Sequence, residues 1–355
     1  MVASEFWKDK AVLVTGHTGF KGAWLSLWLN EMGARVKGVS LPPDTEPCLY
    51  SAANLDHHMA GSCLMDICDL PGLKGEVAKF KPDIVFHLAA QSLVRTSYEH
   101  PIETLKTNVL GTANVLEAIR EVDTVGAAVM VTTDKVYRNE EWVWPYRETD
   151  PLGGIDPYSA SKAACELVIS SYTQTFYKQH PASIASARAG NVIGGGDWAA
   201  DRLFPDMFRT WGKGDALHIR NADAIRPWQH VLEPLRGYLV LAEKLYKSQA
   251  AEGPYNFGPS TADARPVRQV VGLAETAWGV GACTKFVPSD VGKHEAQKLA
   301  LDTSKVAETL GIKPVWSLEV AVERTINWYR RFLDSADARQ LCLADINVYC
   351  ESLGS

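Results

Sequence analysis

The chain has 355 residues, 46% hydrophobic and 22% charged, a balance that supports a full buried core and excludes a disordered, collagen-like or coiled-coil protein. Lys and Arg total 36 against 42 Asp and Glu, a net charge of −6, so no broad basic footprint exists and nucleic acid is not an expected partner. Its seven cysteines (Cys48, Cys63, Cys68, Cys165, Cys283, Cys342 and Cys350) include no Cys-x-x-Cys pair, which favours reduced thiols in a cytosol over a disulfide framework or a metal site. The segment MVASEFWKDK is polar, and no run of about 18 apolar residues occurs, so neither a secretory signal nor a membrane span is expected.

In chain order, Ala11–Thr15 reads as a buried strand, 20–32 as a helix and Arg35–Ser40 as the next strand. Leu64 and Met65 belong to a short third strand, and Leu70–Phe80 is helical. A strand at 83–88, a long helix at 102–122 and a strand at 127–132 follow. Asp156 before Pro157 is an N-cap with proline in the first turn, opening a helix to about 179, and 183–188 is another strand. Short strands alternating with helices predict an α/β fold, a Rossmann-type doubly wound parallel sheet. Past Asn191 the alternation gives way to Gly194-Gly195-Gly196 and to loops bearing Pro, Trp and Arg up to Trp228. This is the composition of a smaller lobe that shapes a ligand pocket. Helices are expected at 231–247 and 317–333.

The first strand runs into Gly16-His17-Thr18-Gly19-Phe20-Lys21-Gly22, spaced G-x-x-G-x-x-G. Glycines between a strand and a helix let the backbone turn tightly and approach a pyrophosphate, and the helix N-terminus adds free N–H groups. An acid at the end of the second strand would select NAD through the ribose 2′-hydroxyl. This chain has Ser40-Leu41-Pro42-Pro43 there, with Lys21 and Arg35 nearby, so the segment leaves NAD and NADP both open. Asp66, after the third strand, is placed to accept from an adenine amino group or to stand solvated.

Tyr158 and Lys162 lie four residues apart at the start of a helix, on one face. A nearby ammonium is expected to lower the phenol pKa, letting tyrosine take a proton from a substrate hydroxyl as a hydride leaves the same carbon. Thr133-Asp134-Lys135 closes the 127–132 strand, at the end where open α/β sheets bind ligands. A hydroxyl, a carboxyl and an amine together exceed what a simple redox step needs and offer acid/base groups for a second reaction.

TGHTGFKG, HLAAQ, TTDKVY, YSASK and RAGNVIGGGDW resemble the extended short-chain dehydrogenase/reductase superfamily, and more narrowly its nucleotide-sugar 4,6-dehydratases. NEEWVWPYRE, GNVIGGGDWAADRLFPD and AIRPWQHVLEPLRGYL are similar to the branch that takes CDP-glucose, and the likeness runs from about 6 to 330. The resemblance implies an NAD-binding domain over 1–190, a segment at about 230–250 returning to it, and a mainly nucleotide-sugar-binding lobe over 191–355. It implies NAD as a recycled catalyst. Tyr158 removes the O4 proton as hydride leaves C4, Thr133 bonds O4, and Lys162 holds the ribose and tunes Tyr158. The 4-ketone acidifies the C5 proton, water is expelled from C5 and C6, and the hydride returns to C6.

Cofactor contacts implied in the same way are Gly16, His17, Thr18, Gly19, Phe20 and Gly22 in the first turn, then Ser40, Asp66 and Ile67. Leu88, Ala89, Ala90, Asn108 and Thr132 complete them with Tyr158 and Lys162. Substrate contacts are Gln91, Thr133, Asn191, Arg202, Leu203 and Arg226. Related dehydratases carry Asp-Glu after the threonine; here Lys135 fills the Glu position, as in the CDP-glucose branch. A lysine serves as C5 base only when neutral, which burial or a second cation such as Lys162 would favour. Asp134 is then the acid. The resemblance further implies a homodimer through the helices at 102–122 and 158–179, or a tetramer of two such pairs. A cytoplasmic role in deoxysugar supply for O-antigen and lipopolysaccharide is also implied.

His17 touches the cofactor or fills the turn, His87 caps a strand end, and His230 packs under the second lobe; none forms a metal set. Trp198 and Trp228 flank the ligand or belong to the core, and Glu243 with Lys247 is a solvated helix pair. A 4-epimerase or single-step reductase would need Tyr158 and Lys162 but not Asp134-Lys135. A non-catalytic dinucleotide sensor would be expected to lose Tyr158 or Lys162.

Overall fold

A computed structural model of the chain describes residues 4–248, 251–260, 263–287 and 298–354. A seven-stranded sheet, parallel throughout, organises it: β1 (Ala11–Thr15), β2 (Arg35–Ser40), β3 (Gly61–Leu64), β4 (Ile84–His87), β5 (Ala127–Val131), β6 (Ser183–Ala189) and β7 (Gly253–Phe257). Their spatial order is β7-β6-β5-β4-β1-β2-β3. The chain winds outward from β1 in one direction, then crosses to β4 and winds in the other. A crevice therefore opens at the carboxyl ends of β1 and β4.

Helices cover both faces, so the central strands are apolar end to end: every residue of β1 and of β5 is buried. Val12, Val14, Phe86 and Val129 face one side, with Trp24, Trp28 and Leu235, while Leu13, Val85 and Met130 face the other, with Leu73, Leu116 and Ile169. The helix after β1, Phe20–Glu31, is buried from Gly22 through Leu29, as a helix wedged between sheet and second lobe must be.

Four expectations change. The third strand starts at Gly61 and ends at Leu64, leaving Met65 outside. The long helix at 102–122 is three pieces, Pro101–Leu105, a π-turn at Lys106–Leu110 and Gly111–Arg120; the wide turn presents the Asn108 amide inward. The helix opened by Asp156 is Pro157–Thr175, four residues shorter than expected, with Asp156 Oδ1 accepting from Ser159 N at 2.9 Å. More of the region past 191 returns to the sheet than the expected segment at about 230–250. It supplies β7 beside β6, the helix Leu232–Lys247 packed on β5 and β6, and the helix Ala338–Ser352, whose Tyr349 ring meets Trp28 edge-on.

The remaining lobe is built from short pieces. The helix Leu203–Trp211 precedes the strand Leu217–Ile219, paired with Thr284–Phe286. Ile225–Pro227 pairs antiparallel with Ala264–Pro266. The helix Leu318–Leu333 backs this lobe, stacking Trp328 on Phe332 and setting both against Trp198.

Candidate active site

The crevice above β1, β4 and β5 deepens into a cavity of about 760 Å³ that the second lobe roofs. That size falls within the range of sites that enclose small ligands. At one end lies the glycine turn. Gly16 has φ +78°, and a Cβ there would stand 2.6 Å from Ala89 N. A Cβ on Gly22 would stand 2.0 Å from Gly16 O. Only glycine permits this closeness. Gly19 caps the helix Phe20–Glu31 without a side-chain bond, so the opening N–H groups of that helix remain for an anion, and Gly19, Phe20, Lys21 and Gly22 all reach the cavity wall. A cradle with no room for side chains, ending on an uncapped helix, fits the pyrophosphate of a dinucleotide.

Beneath the turn, His87 joins the two strand ends. Its Nδ1 lies 2.7 Å from Thr15 Oγ1 and its Nε2 lies 3.0 Å from Thr112 Oγ1. Burial, with Lys162 adding to it, lowers this imidazole to about 3, so it is neutral and structural.

Tyr158 and Lys162 reach the cavity floor from the Pro157–Thr175 helix, 7% and 4% exposed. The phenol does not behave as expected. Burial pushes Tyr158 up to about 12; its hydrogen bond with Thr133 and the Arg202 charge pull down, while Asp134 and Asp156 push up. Lys162 is absent from these influences. Its Nζ donates to Val131 O at 3.3 Å, and burial lowers its own pKa. Desolvation of both partners outweighs the one-turn spacing that suggested mutual tuning.

The Thr133-Asp134-Lys135 turn faces the same space. Thr133 Oγ1 donates to Asp134 Oδ1 at 3.0 Å and accepts from Lys135 N at 3.4 Å. Asp134 is 1% exposed, and its Oδ2 is buried without a hydrogen-bond partner. A buried carboxyl oxygen with no partner on a cavity wall is suited to a ligand hydroxyl.

Of the cofactor residues named from sequence, Gly16, Thr18, Gly19, Phe20, Gly22, Ser40, Asp66 and Ile67 are on the wall, as are Leu88, Ala89, Ala90, Thr132, Tyr158 and Lys162. Asn191, Arg202, Leu203 and Arg226 also line the cavity, with Trp228. Arg202 donates to Asp197 Oδ2 at 2.9 Å and to Ser92 Oγ at 3.0 Å, joining the lobe to the loop after β4.

Five side chains lie elsewhere. His17 turns under β2 against the space left by Gly38, with Nε2 2.7 Å from Ser62 Oγ, because the turn directs it to the sheet. Asn108 is spent on structure: Oδ1 accepts from Gln91 N, and Nδ2 donates to Gln91 O and to Ser161 Oγ. Gln91 bonds Leu93 and Thr104. Trp198 belongs to the aromatic core, and His230, buried between Trp24 and Trp316, is likewise structural.

Sequence reasoning passed over two wall residues. Lys21, noted only as a neighbour of the second strand, is half-buried and donates to Tyr238 Oη at 3.2 Å. Burial, reinforced by Arg202 and Lys162, lowers it to about 7. Its position inside the glycine motif was the available signal. Asp44 brings a carboxylate to the wall four residues beyond the end of β2, where a search confined to the strand end does not look.

A glycine cradle, a Tyr-x-x-x-Lys helix and a second lobe closing one crevice define a dehydrogenase-type nucleotide-binding site. The chain belongs to the GDP-mannose 4,6 dehydratase family, whose model matches residues 13–325, within the extended short-chain dehydrogenase/reductase superfamily. It is 49% identical to a CDP-glucose 4,6-dehydratase of Salmonella typhimurium over 98% of both chains. Its fold is similar to a UDP-glucose 4-epimerase of Thermotoga maritima (TM-score 0.78, 24% identity, 91% of this chain and 99% of that one). It is also similar to MoeE5 solved with UDP-glucose and NAD (TM-score 0.77, 25% identity, 91% and 99%).

Proposed function

We propose that this protein is an NAD-dependent nucleotide-sugar 4,6-dehydratase that converts CDP-D-glucose into CDP-4-dehydro-6-deoxy-D-glucose. The observation that carries this reading is that Tyr158 and Lys162 share one cavity with Thr133, Asp134 and Lys135. A redox pair and an acid/base turn around one space are what oxidation followed by dehydration requires. Full-length identity of 49% to a CDP-glucose 4,6-dehydratase supports the same substrate.

The glycine turn, Ser40, Asp66 and Lys162 would hold the dinucleotide, and the nearby Asp44 carboxylate disfavours a 2′-phosphate and so favours NAD. The chemistry NAD supplies when bound is hydride uptake from C4 and hydride return at C6. Tyr158 takes the O4 proton, with Thr133 bonded to the same oxygen. The resulting carbonyl acidifies the C5 proton, which Lys135 removes. Asp134 protonates the departing C6 hydroxyl, and water leaves. Asn191, Arg202 and Arg226 clasp the diphosphate, for which the arginine forks are suited. A single-step reductase or 4-epimerase has no use for the Asp134-Lys135 pair.

The protein acts in the cytoplasm as a homodimer or as two such pairs, feeding deoxysugar synthesis for O-antigen and lipopolysaccharide. Ile102, Leu110 and Leu167, large apolar side chains left exposed on the two pairing helices, support that association.

Incubation with CDP-, dTDP-, UDP- and GDP-glucose side by side tests the reading through the alkaline ultraviolet absorbance of a 4-ketosugar. Signal from CDP-glucose above the others is expected. Signal from another nucleotide alone would overturn the substrate, and no signal at all would overturn the enzyme. In Lys135→Met, exchange of the C5 hydrogen with solvent should be lost; exchange at the native rate would remove Lys135 as the base.

A further inference from the structure

We propose that the buried Glu166–Arg188 pair positions the elimination machinery: it clamps both ends of the turn that carries Asp134 and Lys135. The inference rests on the dehydratase reading above. Glu166 lies one helical turn beyond Lys162, on the face that already carries Tyr158. Arg188 comes from β6. Their side chains are each 3% exposed and meet at 2.7 Å between Arg188 Nη2 and Glu166 Oε2.

From this pair, bonds run to both ends of the turn. Thr132, the residue before Thr133, donates from Oγ1 to Glu166 Oε1 at 2.5 Å. Tyr137, the residue after the turn Asp134–Val136, accepts at Oη from Arg188 Nη1 at 2.9 Å and donates to Asn256 Oδ1 on β7 at 2.7 Å. Ser186 Oγ donates to Glu166 Oε2 at 2.8 Å, and Arg188 Nη1 also donates to Glu148 O at 3.1 Å. Neither Glu166 nor Arg188 reaches the cavity wall, so neither touches a ligand there.

A buried ion pair is a poor means of stabilisation, because desolvation offsets its attraction and well-packed apolar residues serve as well. It does provide direction: two bonds of fixed geometry hold Thr132 and Tyr137, at the two ends of one loop, to a single rigid pair. Tyr158 and Lys162 need no such device, since a 19-residue helix carries them. Asp134 and Lys135 ride on a three-residue turn. A displacement of about 1 Å there can cost on the order of a hundredfold in rate.

The test separates the two half-reactions. In Glu166→Gln, dehydration of CDP-glucose should fall on the order of tenfold or more relative to C4 oxidation. Reduced cofactor and 4-ketoglucose nucleotide should then accumulate during turnover, with NAD affinity within about twofold of native. Tyr137→Phe, which removes one anchor and keeps the ion pair, should act in the same direction but less, and serves where Glu166→Gln folds poorly. Glu166→Asp should recover part of the native partition. Independently of any substrate, amide hydrogen exchange over 133–137 should quicken in Glu166→Gln while the start of the Tyr158 helix stays protected. Lower thermal stability with an unchanged partition between oxidation and dehydration, or unchanged exchange over 133–137, would overturn the proposal. Failure of the native protein to transform any nucleotide-glucose would instead overturn the dehydratase reading, and the exchange measurement would still judge the clamp.

Discussion

Two turns leave the carboxyl ends of the parallel strands β1 and β5, on either side of β4, and face one cavity, yet they are made in opposite ways. The turn after β1 works by having no side chains: Gly16 and Gly22 bring backbone within reach of backbone, and the ligand groups are N–H donors. The turn after β5 works by side chains alone. Thr133, Asp134 and Lys135 supply the chemistry, and Thr132 and Tyr137 anchor its ends. A backbone site positions itself once the chain folds, whereas a side-chain site depends on a supporting shell. Binding and chemistry should therefore fail separately.

The largest effect is expected at the first turn. Gly22→Ala places a methyl 2.0 Å from the Gly16 carbonyl oxygen, and backbone cannot yield as a side chain can. A loss of about 3 kcal/mol or more is expected in denaturant unfolding, together with loss of NAD binding. Native-like stability in this variant would show that the turn is looser than its geometry.

Tyr158→Phe should retain the fold and lower turnover about a thousandfold, measured as ketosugar formation. Turnover within a few fold of native would remove the phenol from the reaction. Asp134→Asn should lower dehydration about a hundredfold while reduced cofactor still forms on mixing with substrate. Equal loss of both signals would mean that the second turn is not specific to elimination.

A last prediction concerns the buried rings. His87 is held neutral by burial and lowered from an ordinary 6.5 to about 3; His230, also buried, is lowered to about 3 as well. Unfolding lets each imidazole take a proton that the native state refuses. Their contribution is complete above 6.5 and is lost as pH falls toward 3, by about 1.4 kcal/mol per pH unit for each. Denaturant unfolding at about pH 7 and about pH 5 should show this decline, and a flat profile would mean that these rings are protonated in place.

Most of the first turn was legible because its signal is local. Glycine spacing after a buried strand and before a helix is a statement about neighbouring residues, and Gly16, Gly19 and Gly22 lie where that spacing puts them. The π-turn at Lys106–Leu110 was not legible, since a helix of ordinary pitch has the same apolar pattern; its wider turn follows from Asn108 reaching Gln91 and Ser161. β7 was missed because GPYNF carries Gly, Pro and Asn, residues tolerated at an edge position where only β6 pairs with it. Asn108 and Gln91 show the same limit from the other side: the Asn108 amide bonds the Gln91 backbone and Ser161, and the Gln91 amide bonds Leu93 and Thr104, partners no local pattern announces.

Alternation of apolar runs with amphipathic segments determined the layered α/β architecture without further help, as did the glycine spacing and the one-turn separation of Tyr158 and Lys162. Each is a short-range rule about sterics or helical pitch. Only the folded chain decided that burial raises Tyr158 rather than an ammonium lowering it, that Asp134 keeps an unpartnered oxygen at the wall, and that Glu166 and Arg188 join Thr132 to Tyr137. Desolvation and buried hydrogen bonding depend on which distant segments come to lie together, and no local pattern along the chain encodes that proximity.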